Sequence, residues 1–242
     1  MDRRFVDAVL LRKTPPEGEY FAALPAVRHL TREGGLPLSS DVTFFIGENG
    51  SGKSTLLEAI AVACGLNAEG GSRNFNFSTN NTHSGLHDYI TISRSRYPED
   101  TFFLRAESFY NVATNIEQLE MQSSYGGLSL HNQSHGESFL ALVHNRFWGN
   151  GLYLLDEPEA ALSPSRLFAL ICEIDALVKE RSQFIIATHS PILMAFPGAC
   201  VYEFTERGIS EVDYRETDHF RLTKRFLDAP ERMLEMLLGE EV

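Results

Sequence analysis

Phe44-Phe45-Ile46 runs directly into Gly47-Glu48-Asn49-Gly50-Ser51-Gly52-Lys53-Ser54 and then into Thr55-Leu56-Leu57-Glu58-Ala59-Ile60-Ala61. The apolar triplet reads as a strand buried on both faces, and the segment from Lys53 as a helix closed by Gly65. The loop between them fits G-x-x-x-x-G-K-[ST] in the strand-to-helix setting that gives this pattern its meaning. Such a loop turns backbone N–H groups inward around a phosphate, and the helix N-terminus adds partial positive charge. The candidate phosphate-binding positions are Asn49, Gly50, Ser51, Gly52, Lys53, Ser54 and Thr55. Lys53 is expected to reach the β- and γ-phosphates of a nucleotide, and Ser54 to give its hydroxyl to Mg²⁺.

Further along, Leu152-Tyr153-Leu154-Leu155-Asp156-Glu157-Pro158 sets two carboxylates at the end of another buried strand. Open α/β sheets collect their ligands at such strand ends. Asp156 is the candidate to hold Mg²⁺ through water, and Glu157 to accept a proton from water attacking a γ-phosphate. A helix from near Pro164 to about Lys179 joins this strand to Phe184-Ile185-Ile186-Ala187, a βαβ unit and therefore a parallel sheet. Thr188-His189-Ser190-Pro191 follows. Upstream, Ser134-His135-Gly136-Glu137 precedes a helix read over 138–148. Its hydroxyl and glycine N–H groups suit a second anion site, while Ser134 with Glu137 equally fits a capping box.

The rest of the chain frames these motifs. Residues 1–41, punctuated by Pro15, Pro16, Gly18, Pro25, Gly34, Gly35 and Pro37, read as short antiparallel strands and turns rather than helices. Residues 66–88 and 126–133 read as loops, 89–92 and 101–106 as strands, 201–204 and 209–212 as an edge hairpin, and the end as two short helices. With 242 residues, 43% hydrophobic, the chain suits one α/β domain over 1–242. Within it, 1–41 is a β region, 42–196 bears the motifs, and 197–242 holds the hairpin and helices. No apolar run is long enough to cross a membrane, so a cytoplasmic protein is expected. Cys64, Cys172 and Cys200 are expected to be buried thiols without metal-ligand spacing. A net charge of -12 argues against a broad nucleic-acid-binding surface. Two small basic clusters, Arg94 with Arg96 and Arg221 with Lys224 and Arg225, read as solvated faces and leave direct nucleic-acid binding open.

In their order these motifs resemble the ABC-class ATPases, the group that holds transporter motor domains and SMC-type chromosome proteins. Ser134, Gly136 and Glu137 are similar to the family's signature motif, with Gln133 and His135 departing from it and Glu137 siding with the SMC-like branch. Ala161-Leu162-Ser163-Pro164 resembles the D-loop, and His189 matches the switch histidine that contacts the γ-phosphate. Glu107, after Arg105-Ala106, stands where the family has its Q-loop residue near Mg²⁺. Tyr20 or Phe21 stands where an upstream aromatic stacks on adenine. The resemblance implies ATP and Mg²⁺ as cofactors, with Glu157, His189 and Lys53 as catalytic residues. It also implies a homodimer formed around ATP, in which Ser134, Gly136 and Glu137 of one copy meet the nucleotide held by the other. More narrowly, the chain looks like small stand-alone bacterial "AAA family ATPase" proteins. The implied fold is the P-loop fold of ABC type, a mostly parallel central sheet with an antiparallel edge from the N-terminal part. The short stretch from Glu107 to Ser134 implies a reduced helical arm, lacking both a transporter's helical subdomain and an SMC coiled coil. Three outputs fit: an ATPase driving a separate effector such as a nuclease, a motor for a membrane subunit, and a nucleotide-dependent switch with little turnover.

Overall fold

The computed structural model describes residues 4–72, 84–107, 109 and 135–239. Ala8–Leu11 forms strand β1 and Pro25–Glu33 helix α1. That helix corrects the reading of residues 1–41 as strands and turns. Pro25 sits at the first helical turn, where its fixed φ and missing N–H cost nothing, and Ala26, Val27 and Leu30 line one buried face. Gly34 then closes the helix in the left-handed region and leads into β2, Gly35–Pro37.

Strand β3 (Val42–Gly47) is buried throughout and feeds the loop into helix α2, Lys53–Ala63. Strand β4 (Ile90–Ser93) pairs with β1, which also pairs antiparallel with β2, so that Val9 lies between Leu36 and Ile92. The antiparallel part is thus a separate three-stranded sheet, ordered β2-β1-β4, whose third strand comes from outside residues 1–41.

The main sheet takes β5 (Asp100–Arg105), β6 (Gly151–Asp156), β7 (Gln183–Ala187), β8 (Cys200–Thr205) and β9 (Gly208–Glu211) in the order β5-β6-β7-β3-β8-β9. All neighbours are parallel except the β8–β9 hairpin. Helix α3 is His135–Arg146, α4 Pro164–Lys179 and α5 Pro191–Met194. The chain ends in α6, Asp218–Asp228, and α7, Pro230–Leu238.

Strand side chains alternate between two cores, as a period of two requires. Phe44, Ile46, Tyr153, Leu155 and Ile186 pack with Phe139 and Leu142 of α3 and Leu167, Leu170 and Ile174 of α4. Phe45, Leu154 and Ile185 pack on the other face with Leu56, Leu57 and Ile60 of α2 and with Val9 and Leu36 of the small sheet. One buried polar side chain ties the N-terminal segment to the main sheet. Gln183 Oε1 accepts from the Phe5 and Val6 N–H groups, both at 2.9 Å, and its Nε2 donates to Val6 O at 2.9 Å. This satisfies backbone groups that burial would otherwise leave at a cost.

Among the described residues no helix is long and apolar enough to cross a membrane. Cys64 and Cys200 are buried, but Cys172 is exposed on the outer side of α4, which corrects the expectation for that thiol. Four residues of the two basic clusters are engaged within the chain. Arg94 donates to Ala63 O, Arg96 bonds Asn150 and lies 4.3 Å from the Phe5 ring centroid, and Arg221 and Lys224 pair with Glu216 and Asp228.

Candidate functional site

The parallel strands β3, β6 and β7 end side by side, which brings three separated motifs to one edge of the sheet. From β3 the loop turns into α2 through Gly52, whose φ of 96° lies in the left-handed region open to glycine. A Cβ there would also come within 3.0 Å of Ala26 Cβ in α1. Lys53 is only 4% exposed, and its Nζ donates to Gly47 O at 2.7 Å and Glu48 O at 2.9 Å. Burial lowers its pKa, opposed by the carboxylates of Glu157, Asp156 and Glu159. Ser54 and Thr55 are half-buried at the helix start, Ser51 is buried, and Asn49 and Gly50 are exposed at the loop tip.

At the end of β6, Asp156 Oδ1 accepts a 2.9 Å hydrogen bond from Ser54 Oγ. Burial pushes this carboxyl up to about 6, held from rising further by Arg105 and by the Ser54 bond. A hydroxyl and a buried carboxylate side by side are hard oxygen donors of the kind Mg²⁺ takes, with phosphate and water oxygens completing its shell. Among the described residues no group of three or more His, Cys, Asp or Glu gathers to cage a metal, so Ser54 and Asp156 fit the ion as a partial set.

Glu157 takes φ 50° and ψ 50°, a conformation costing a non-glycine residue about 1–3 kcal/mol. Its N–H donates to Ala187 O at 2.9 Å, which fixes the turn to the end of β7. The side chain is half-exposed, with Oε1 3.6 Å from His189 Nε2. The His189 N–H donates to Glu159, a carboxylate whose pKa burial raises. Burial lowers the pKa of His189, Lys53 adds to the effect, and Glu157 opposes it. Glu48, Asn49, Glu157, His189 and His219 line a cavity of about 570 Å³. Ser54, Arg105, Glu107, Asp156 and Glu157 line another of about 310 Å³, and Glu157 is common to both.

Lys53, Ser54, Asp156, Glu157 and His189 are thus brought together. Glu107 reaches the smaller cavity, but its side chain is 86% exposed and lies 3.7 Å from Arg105 Nη2. It is Arg105 that touches Asp156, Nε to Oδ2 at 3.3 Å, while Nη1 donates to Glu58 Oε2 at 3.1 Å. Phe21 is a core residue at 0% exposure, tilted against Tyr89, which removes it as an adenine platform; Tyr20 remains 66% exposed. Ser134 lies outside the described residues. Gly136 and Glu137 open α3 and pack on their own chain. A Cβ on Gly136 would meet Arg166 Nη1 at 2.7 Å and Ala161 O at 3.0 Å, and Glu137 Oε1 lies 3.0 Å from Arg166 Nη2.

Two family models match the chain. One, "AAA domain", covers residues 28–130, and the other, "AAA domain, putative AbiEii toxin, Type IV TA system", covers residues 128–195. Among solved structures, cbiO1 from Clostridium perfringens, part of the ABC transporter complex cbiONQ, aligns at TM-score 0.50 and 14% identity. The alignment covers 97% of this chain and 99% of that one. The chain has the P-loop fold of ABC type, with AAA-domain models matching across residues 28–195. The SMC head domain from Thermotoga maritima aligns at TM-score 0.46 and 15% identity, over 86% of this chain and 98% of that one. A search of the curated proteins gave no match.

Four side chains at this candidate site are marked by none of the motifs: Arg105, Glu58, Glu159 and His219. Glu159 carried a signal, since it repeats the acidic residue two positions after Glu157 in Asp156-Glu157-Pro158-Glu159. Arg105 and Glu58 are joined across 47 positions of sequence, and His219 lies on a helix that no motif marks.

Proposed function

We propose that the chain binds ATP with Mg²⁺ and hydrolyses its γ-phosphate bond, and that two copies close around the nucleotide during the cycle. The observation that carries this reading is the contact of Ser54 Oγ with Asp156 Oδ1 beside the buried Lys53, with Glu157 and His189 on the open side. Phosphoryl transfer is catalysed mainly by positioning and electrostatics, and these residues supply both.

The loop N–H groups from Asn49 to Thr55 and the α2 N-terminus take up phosphate oxygens, and Lys53 moves from the carbonyls of Gly47 and Glu48 to the β- and γ-phosphates. Ser54 and Asp156 hold Mg²⁺, which neutralises charge on the triphosphate. Glu157 accepts the proton of the attacking water, and His189 steadies the γ-phosphate from the β7 side. The strained backbone at Glu157 supports this role, since such strain collects at functional sites.

The proposed dimer pairs each loop with the α3 start of a second copy, at Ser134, Gly136 and Glu137. A membrane subunit or a nuclease are the two effector classes such a dimer would serve. With Glu157→Gln, ATP and Mg²⁺, light scattering is expected to give twice the monomer mass, and ADP the monomer. A monomer under both conditions overturns the dimer.

A further inference from the structure

The switch position carries a partner that the motif pattern does not supply. His189 Nδ1 lies 3.1 Å from Nε2 of His219, which belongs to the first turn of α6. The rings are 5.3 Å apart, and both are partly withdrawn from solvent. Thr217, 2% exposed, caps α6 by accepting from the Phe220 N–H and donates to Tyr214 O at 2.6 Å, so the turn presenting His219 is itself fixed.

A contact between two imidazole nitrogens needs one donor and one acceptor, so it selects a tautomer. If His189 donated from Nδ1, a neutral ring would turn a bare lone pair at Nε2 toward the Glu157 carboxylate 3.6 Å away, which is repulsive. If His219 donates from Nε2, His189 keeps its proton on Nε2, facing Glu157 and the larger cavity. His189 Nε2 is buried and has no hydrogen-bond partner among the described residues, so a proton there is available to an anionic oxygen entering that cavity.

We infer that His219 is a positioning residue for hydrolysis: it donates to His189 Nδ1, fixes the Nε2–H tautomer, and thereby aims a hydrogen-bond donor at the γ-phosphate. This rests on the ATPase reading above. It also makes the rate of turnover depend on how α6 is seated, because shifting that helix removes the donor.

The test measures steady-state ATP hydrolysis and, on the same preparations, ATP affinity and melting temperature for the full chain, Glu157→Gln, His219→Ala and His219→Gln. Nitrogen-15 histidine spectra report the tautomers. His219→Ala is expected to lower kcat about tenfold, as loss of an orienting partner does, with KM and affinity within about twofold. His219→Gln, whose amide N–H can still donate, is expected to recover most of the rate. His189 should show the Nε2–H form in the unsubstituted chain and a tautomer mixture in His219→Ala. Full activity in His219→Ala, or a glutamine variant no better than the alanine one at unchanged melting temperature, overturns the inference. So does a His189 protonated on Nδ1 in the unsubstituted chain, which decides the matter even if both variants lose stability. If the unsubstituted chain hydrolyses no more ATP than Glu157→Gln, the ATPase reading fails instead, and the spectra still decide the tautomer.

Discussion

At the start of α2, Lys53 is buried against Gly47 O and Glu48 O, and Ser54 is bonded to Asp156 across 102 positions of sequence. At the start of α3, Glu137 is 55% exposed and pairs with Arg166, while Gly136 is pressed against Arg166 and Ala161. Both are helix starts rich in small and polar residues, and both suit anions. Among the described residues, the first gathers a buried cation, a hydroxyl and a carboxylate within its own chain. At the second, Glu137 pairs with Arg166 in the first turn of α4, and Gly136 lies close to Ala161 in the turn before it. One helix start thus surrounds its loop with charged and polar side chains, and the other is held against α4 of its own chain.

The largest separation between the two is expected from Lys53→Ala. A charge-assisted bond to phosphate is worth about 1.5–3 kcal/mol, so ATP affinity should fall roughly ten- to a hundredfold. Titration of a fluorescent ATP analogue with Mg²⁺ checks this, and an unchanged affinity would break the comparison. Gly136→Ala should leave monomer affinity for ATP alone and cost about 1–3 kcal/mol of stability, because Ala161 O is backbone and cannot swing aside as Arg166 can. Chemical denaturation gives the figure. Glu137→Ala should be the mildest. Its partner Arg166 is partly exposed, so the loss is at most about 1 kcal/mol with ATP affinity unchanged, measured in the same two assays.

How far the sequence revealed this arrangement depended on whether a residue's role was local. β3, α2, β6, α4 and β7 were readable because continuous apolar runs and a proline at a helix start are local signals. Lys53, Ser54, Asp156, Glu157 and His189 followed, since each sits at the end of one of those strands or in the loop after it. Helix α1 is hidden in the sequence because Pro25 reads as a breaker, although the apolar spacing at Ala26, Val27 and Leu30 is present. Phe21 could not be placed, since an aromatic beside a turn serves equally as core or as a ligand platform. Arg105, which touches Asp156 and Glu58, and His219, which touches His189, gain their meaning only when distant segments meet.

In the proposed mechanism the end of β6 supplies a base for hydrolysis rather than another nucleotide-binding contact. Steady-state phosphate release from ATP by the unsubstituted chain and by Glu157→Gln, with ATP affinity measured on the same samples, tests it most directly. Release is expected to fall by about 10²–10⁴-fold in the variant while affinity is retained. Release that survives the substitution, or that falls only in step with affinity, would contradict it.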